Sequence, residues 1–437
     1  MSAESGTPKA PQALPRVVIV GAGFGGLSAA HELARHKIEV TLIDKQNHHL
    51  FQPLLYQVAT AGLSPADIAA PIRSIVKSHK RTRVLLDTVT DVDTSLSRVM
   101  LTSGACLDYD ALILATGATH SYFGAEWANR APGIKTIDDA IKVRRTILLA
   151  LESAETNRQE NMAERAEFLT FVVVGGGPTG VEMAGAVAEL AHHAAENDFP
   201  HISRHCVRII LVHSGDRVLP SFPPALSAAA RDSLVKLGVE VRLGQRVSHV
   251  DAEGAMIGAE KIKASTVIWA AGVKASPAAS WLGAACDSAG RAVVQADLSV
   301  PGLPNVFVIG DTACVTDSAG CVVPGIAPAA KQQGLHAARA VVAQLTGRPS
   351  PGPFRYVNTG NLATIGRKSA VVDMGWLKLS GFFAWVLWCL AHVYFLIGFR
   401  NRLVVCANWA WNYLTFDRGA RLITGIDAPP AASALDK

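Results

Sequence analysis

The chain has 437 residues, enough for two or three domains with a large buried core. Of these, 49% are apolar and 18% charged, with 37 glycines and 22 prolines, which excludes a disordered chain, a coiled coil and a disulfide scaffold. The net charge of +5, from 41 basic and 36 acidic residues, is too small for a nucleic-acid footprint unless focused on one face, so no nucleic-acid partner is expected. Seven cysteines form no CxxC pair and no metal-type spacing; reduced thiols and no metal are expected.

Residues 1–15 lack the basic start and apolar stretch of a secretory signal and read as a disordered lead. An apolar β-branched run at 17–20 is followed at once by the glycine turn GAGFGG, carrying Gly21, Gly23 and Gly26, and then by a helical stretch. A second strand ends on Asp44, 23 residues after Gly21, the spacing of one βαβ unit with an acidic residue at the tip of its second strand. In such a turn the first glycine permits the tight bend, the second lets backbone approach a pyrophosphate, and the third lets helix and strand pack closely. The helix N-terminus then offers free N–H groups to phosphates. Asp44 is placed to accept from both hydroxyls of an adenosine ribose, and the competing assignment is an ordinary strand-end turn residue.

The pattern recurs. Strand 171–174 leads into GGGPTG, with Gly175, Gly177 and Gly180, and a helix is expected from Val181. Each copy is followed by an apolar strand ending in a small-residue turn, at Thr116 and Gly117 in the first and at Gly272 in the second. Gly21 to Gly117 is 96 residues and Gly175 to Gly272 is 97, so the chain contains an internal repeat and two dinucleotides are implied. The second copy differs in that its second strand ends on His213 and Ser214, with no carboxylate to repel the 2′-phosphate of NADPH. A further strand at 306–309 ends in Gly310 and Asp311 without starting a new copy, and is expected to return the chain to the first domain.

The expected architecture is α/β: two Rossmann-like dinucleotide-binding domains, the second inserted in the first, plus a C-terminal helical membrane-attachment region. The expected boundaries are 16–135 with 286–348 for the first domain, 136–164 for a helical connection, 165–285 for the second domain and 349–437 for the C-terminal region.

These glycine motifs, with the run HHLFQPLLYQVATAGLSPADIA from His48, LATG at 114–117, GGGPTGVEMAG from Gly175, WAAGVKASP from Trp269, VFVIGD from Val306 and GNLATIGRKSAV from Gly360, make the chain resemble the type II NADH dehydrogenases over nearly its whole length. The resemblance implies FAD in the first domain, NADH in the second, a membrane quinone as acceptor, and monotopic attachment to the cytoplasmic face of the membrane. It puts Gly21, Gly23, Gly26, Asp44, Thr116, Gly117 and Asp311, with the adjoining Gly310, on FAD-binding positions. It puts Gly175, Gly177, Gly180 and Glu182, with His213 and Gly272 nearby, on the nicotinamide-nucleotide side. The family's quinone-site motif Ala-Gln-x-Ala-x-Gln is matched at its last position by Gln332, while Pro328 replaces its first Gln. Glu182 and Gln332 are the expected catalytic residues. For Glu182 the competing assignment is a first-turn carboxylate that complements the helix dipole, and for Gln332 a solvated helix-face amide.

Hydride transfer between two cofactors needs stacked rings and no side-chain nucleophile. No cysteine relay is expected, because no Cys precedes residue 106, none lies between Cys106 and Cys206, and Cys314 and Cys321 are seven apart in a loop-like stretch. The run at 381–399 has His392 as its only strongly polar side chain, and five of eight tryptophans lie beyond residue 375, as at a membrane interface. Basic residues flank the run on both sides, with Arg367, Lys368 and Lys378 before it and Arg400, Arg402, Arg418 and Arg421 after it. Helices lying on the lipid bilayer surface, basic residues toward anionic headgroups, are therefore expected over a single span. Removal of the chain beyond about Pro353 is then expected to leave a soluble flavoprotein. NADPH as an alternative donor, a homodimer, a soluble reductase of a ferredoxin-like protein and a nucleotide-bound membrane adaptor complete the alternatives.

Overall fold

A computed structural model of the protein describes residues 13–124, 126–157, 162–415 and 419–424, so most of the N-terminal lead and Arg418 lie outside the described residues. In chain order, strand β1 (Arg16–Val20), helix α1 (Phe24–Leu33) and strand β2 (Glu39–Asp44) form the first βαβ unit. Helix α2 (Leu55–Ala59) precedes strands β3 (Thr82–Leu86) and β4 (Ala111–Leu114). Helix α3 (Ile137–Thr156) leads to the second unit of the same kind: β5 (Thr170–Val174), α4 (Pro178–Asn197) and β6 (Arg208–Val212). Strands β7 (Val239–Arg242), β8 (Thr266–Trp269), β9 (Ser299–Val300) and β10 (Leu303–Val308) follow, then helix α5 (Ala327–Thr346). The described chain closes with β11 (Asn361–Thr364), β12 (Ala370–Asp373), β13 (Lys378–Gly381), α6 (Phe382–Phe395) and α7 (Phe399–Thr415).

These elements fall into two units. One comprises Met1–His49, Pro71–Thr119 and Lys274–Asn358; the other Leu50–Ala70, His120–Val273 and Thr359–Lys437. The first is built on a six-stranded sheet in the order β9-β10-β4-β1-β2-β3, parallel except at β9. Its strand β10 pairs with β4 although residues 120–273 intervene, so the second dinucleotide-type sheet is inserted in the first domain's chain. The second unit holds the parallel sheet β7-β6-β5-β8 and the antiparallel sheet β11-β12-β13. β1, β4 and β5 are buried nearly end to end by Val, Ile, Leu, Phe and Ala, as parallel strands covered on both faces must be.

The two copies repeat at the level of single hydrogen bonds. Gly21 N–H donates to Ile43 O at 2.7 Å, and Gly175 N–H to Val212 O at 2.8 Å. Ala115 N–H donates to Val20 O and Ala270 N–H to Val174 O, both at 2.8 Å. Both helices begin inside their glycine turns, so α4 starts at Pro178, three residues before the expected Val181.

The apolar run at 381–399 is not one helix. α6 has 14 residues, about 21 Å at 1.5 Å per residue, short of a ~30 Å hydrocarbon core. The chain breaks at 396–398, where Gly398 takes φ +90°, before α7 begins. No helix among the described residues is long and apolar enough to cross a membrane. The outer faces of both helices are greasy: Phe383, Leu390 and Tyr394 on α6, and Phe399, Leu403, Trp411 and Leu414 on α7, are exposed. The inner face of α7 is polar, a feature the sequence reading of a surface-lying helix did not include. Asn401, Asn408 and Asn412 donate to Ala69 O, Asp67 Oδ2 and Gly62 O at 3.2, 3.2 and 3.1 Å. This face holds residues 50–70 within the second unit. The basic flanks are also partly spent internally, since Arg367 donates to Asn412 O, Arg402 to Leu396 O, and Arg421 pairs with Asp198. Lys368, Lys378 and Arg400 remain exposed.

The C-terminal residues are thus part of the second unit's core, which changes the outcome expected of truncation. Deleting residues 354–437 removes β11–β13, α6 and α7 and bares apolar surface on α2 and α4. The truncated chain should lose cooperative unfolding of its second unit in calorimetry and hydrogen exchange. A truncated chain that melts like the full chain would contradict this packing.

Candidate functional site

In the first unit, α1 approaches its own turn so closely that a Cβ on Gly26 would lie 1.8 Å from Gly21 O. Gly21 itself takes φ +100°, which side-chain-bearing residues rarely adopt. At Gly23, by contrast, an added Cβ meets nothing within 4 Å, which leaves open space over the helix N-terminus. Asp44 braces this cradle. Its Oδ2 accepts from Ala22 N at 2.6 Å and its Oδ1 from Gln46 N at 2.7 Å, so it both closes its own turn and fixes the glycine loop. Burial pushes its pKa up, against those two hydrogen bonds. Each oxygen retains a lone pair for a ribose hydroxyl.

Sequence reasoning passed over His49 beside this loop. Its Nδ1 faces Ala22 O at 2.9 Å and its edge meets the Phe24 ring at 4.9 Å between centroids. Burial lowers its pKa to about 4, so it is neutral, donates through Nδ1–H, and leaves Nε2 as an acceptor. That Nε2 is buried with no partner among the described residues, an orphan that a hydroxyl-bearing ligand in the cradle would satisfy. The cradle, Asp44 and His49 together fit a flavin adenine dinucleotide.

Thr116 and Gly117 belong to a hydroxyl cluster. Thr116 Oγ1 and Ser276 Oγ lie 2.5 Å apart, as do Ser276 Oγ and Thr312 Oγ1, and Ser276 N–H donates to Gly117 O at 3.1 Å. Ser276 and Thr312 had no local sequence signal, because they reach Thr116 from 160 and 196 residues away. Gly310 takes φ +73°, and its N–H donates at 2.6 Å to Gln333 Oε1, a side chain 2% exposed. Asp311 sits in the same turn. Gln332, one residue before, points elsewhere. Its amide donates to Val357 O and accepts from Val357 N, both at 2.9 Å, pinning that backbone.

The second unit repeats the cradle with different chemistry. Gly175 takes φ +118°, a Cβ on Gly180 would lie 1.8 Å from Gly175 O, and one on Gly177 would meet nothing within 4 Å. His213 occupies the place of Asp44. Its Nδ1 accepts from Gly176 N at 3.1 Å, and burial lowers its pKa. The ring is therefore neutral with its proton on Nε2, not the cation that would attract a phosphate. Gly272, φ +77°, closes the neighbouring turn against the Phe123 ring.

Because α4 starts at Pro178, Glu182 lies beyond the first turn and is buried, 8% exposed, so it does not serve the helix dipole. Its only described hydrogen bond is from Thr364 N at 3.4 Å. Burial raises its pKa from the ordinary 4.5 to about 8, leaving it protonated at neutral pH. Among the described residues no three His, Cys, Asp or Glu side chains are grouped to hold a metal.

A family model described as pyridine nucleotide-disulphide oxidoreductase matches residues 15–334, and one described as NDH2 C-terminal domain matches residues 358–418. The chain is 43% identical to the Type II NADH:quinone oxidoreductase NdhA of Mycobacterium tuberculosis, covering 97% of this chain and 92% of the relative. It is 42% identical to Ndh of the same organism, over 94% and 91%. NDH2 of Plasmodium falciparum, solved with NADH, has the same fold with a TM-score of 0.85 at 21% identity, covering 94% of this chain and all of that one. Fold and motifs together define a flavin-type pyridine nucleotide oxidoreductase. More narrowly, the chain belongs to the type II NADH:quinone oxidoreductases.

The buried Glu182 makes stability pH-dependent in a definite direction. A carboxyl whose pKa is raised from 4.5 to about 8 stabilises the fold fully below 4.5, and that contribution is lost as pH rises through 8. Denaturant midpoints of the wild type should therefore fall between pH 5 and pH 8 relative to Glu182→Gln, which stays neutral. Parallel pH dependences would mean that Glu182 is not held protonated.

Proposed function

We propose that this chain oxidises NADH on the cytoplasmic face of a membrane and reduces a quinone within it, moving no proton across the bilayer. The observation that carries this is the pair of glycine cradles, alike in backbone and different at the tip of the second strand. FAD, when bound, supplies the two-electron chemistry between reduced nicotinamide and quinone, in the balance NADH + H⁺ + quinone → NAD⁺ + quinol. Gly21, Gly23 and Gly26 admit its pyrophosphate, Asp44 holds its ribose, and Thr116, Gly117, Gly310 and Asp311 bound its site. Gly175, Gly177 and Gly180 admit the pyrophosphate of NADH, with His213 at its ribose and Gly272 at the adjoining turn. Glu182, buried and protonated, holds a proton near the nicotinamide side and excludes a fixed negative charge there. Gln332 serves the quinone side by holding the backbone at Val357.

The outer faces of α6 and α7 support attachment to a lipid surface without crossing it, with Lys368, Lys378 and Arg400 as exposed cations.

A neutral His213 neither repels a 2′-phosphate, as a carboxylate does, nor attracts it, as a cation would. NADH is therefore the main donor, with weaker discrimination than a carboxylate gives. The test is one steady-state series on the holoenzyme with a short-chain quinone. The wild type should oxidise NADH with a bound flavin whose released mass is that of FAD, and His213→Glu should raise the NADH over NADPH ratio of kcat/KM about tenfold. Released FMN, or no quinone-dependent NADH oxidation, contradicts the function. Complete rejection of NADPH by the wild type, unchanged in His213→Glu, contradicts the role of His213.

A further inference from the structure

Phe123 stands apart from the rest of the second unit. Its side chain is 63% exposed, and it takes φ +53°, a left-handed backbone that side-chain-bearing residues rarely adopt. Its neighbours hold it there. Trp269 Nε1–H donates to Ser121 O at 2.9 Å, and the Tyr122 hydroxyl donates to Ala131 O, also at 2.9 Å. Strain kept in order to expose an aromatic ring is a mark of a binding site. The ring covers the turn beside the second cradle: a Cβ on Gly272 would lie 2.6 Å from Phe123 Cζ, and one on Gly175 would lie 2.6 Å from Ala270 O in that same turn.

A cation stands on this ring. Arg246 Cζ lies 5.8 Å from the Phe123 centroid, within cation–π range. The Arg246 side chain is exposed, and its guanidinium has no carboxylate or carbonyl partner among the described residues. Its root is at the opposite end of the cradle, because Gln245 N–H donates to His213 O at 3.1 Å and Gly244 N–H to Gly215 O at 2.8 Å. Arg246 therefore reaches from the tip of β6, past β5, to the turn after β8. The face on which it does so is also defined. Val247 and Val250 pack with Val174, Val212 and Trp269 on one face of the sheet, in a cluster without α4, so α4 covers the opposite face. A dinucleotide whose pyrophosphate meets the N-terminus of α4 thus has the helix on one side and Arg246 on the other.

We infer that Arg246 binds the pyrophosphate of NADH from the side opposite α4, and that Phe123 is a positioning residue that holds the guanidinium over the cradle. The inference rests on NADH occupying the second cradle, as proposed above. The charges are complementary. Each phosphate of the dinucleotide is negative, whereas the N-terminus of α4 supplies only partial positive charge and burial keeps His213 neutral. Arg217, on the loop after β6, is instead tied to Pro220 O at 3.0 Å. A guanidinium offers paired N–H groups to phosphate oxygens and keeps its charge at every working pH. Stacking on Phe123 fixes its plane, so less freedom is lost when the nucleotide binds.

Calorimetric titration of the oxidised holoenzyme with NAD⁺ and with ADP-ribose, which keeps the pyrophosphate but lacks the nicotinamide, reads this contact directly. Arg246→Gln should bind both at least tenfold more weakly, and Arg246→Lys, which keeps the charge, should recover part of that loss. Added salt should weaken NAD⁺ binding more steeply in the wild type than in Arg246→Gln. Phe123→Leu should bind NAD⁺ severalfold more weakly, and adding it to Arg246→Gln should cost nothing further, since Phe123 acts through Arg246. In steady state, Arg246→Gln should raise KM for NADH and for NADPH by the same factor, with flavin content full in every variant. Unchanged affinity for NAD⁺ and ADP-ribose in Arg246→Gln, a loss confined to NADPH, which would put Arg246 on the 2′-phosphate, or additive effects of the two substitutions would overturn the inference. A wild-type holoenzyme that binds neither NAD⁺ nor ADP-ribose would instead defeat the assignment of NADH on which the inference rests.

Discussion

The structure depends on one steric constraint, met twice. At Gly26 and at Gly180 a Cβ would stand 1.8 Å from the carbonyl oxygen of the first glycine of the same turn, so helix and strand meet backbone to backbone. That approach aims the first N–H groups of α1 and α4 across the carboxyl ends of their sheets, where strand order reverses and nucleotides bind in such folds. The side chain at the tip of the second strand then locks each loop, Asp44 through Ala22 N and His213 through Gly176 N. A charge-assisted hydrogen bond of the first kind is worth roughly 1.5–3 kcal/mol and the neutral second one about 1 kcal/mol, so the two cradles differ in rigidity and in charge.

The chemistry follows from what these cradles keep neutral. His49 and His213 have lowered pKa values and Glu182 a raised one, all first through burial. The protein thus keeps His49 and His213 uncharged beside its two glycine cradles and Glu182 uncharged on α4, while Asp44 brings a carboxylate to the first cradle. This suits a reaction in which the cofactors carry the electrons and the side chains orient, donate and exclude water. The C-terminal helices extend the same logic. α7 shows apolar residues outward and asparagines inward, so the helix proposed to lie on the lipid surface also holds residues 50–70.

Much of this was legible in the sequence because it is local. The glycine spacing, the small-residue turns at near-equal distance and Asp44 at its strand tip are set by residues a few tens of positions apart, and the repeat made each copy evidence for the other. What escaped was set by distance or by orientation. Ser276 and Thr312 join Thr116 only through the sheet. Gln333, not Gln332, meets Gly310, a difference of one position that rotates a side chain to another face of α5. A 3.6-residue period through Ala330, Gln333, Gly334, Ala337 and Val341 marks that buried face and could have revealed it. The start of α4 was misread because Pro178 was taken as loop, although proline suits a first helical turn. Hydropathy averaged over 381–399 hid the break at Gly398, and the apolar content of the C-terminus hid the polar stripe of Asn401, Asn408 and Asn412.

The central claim is that each cradle admits one nucleotide and a different one. Gly23 and Gly177 are helix N-caps with extended backbone, and an added Cβ at either meets nothing within 4 Å, so valine fits the fold while filling the space a pyrophosphate needs. The decisive measurement is flavin content and NADH affinity, determined side by side on purified Gly23→Val and Gly177→Val. The account predicts a crossed result: Gly23→Val folds with little bound flavin and retains NADH binding, whereas Gly177→Val retains full flavin and binds NADH at least tenfold more weakly. If both variants lose flavin alike, or if both keep full flavin and full NADH affinity, the assignment of one nucleotide to each cradle is wrong.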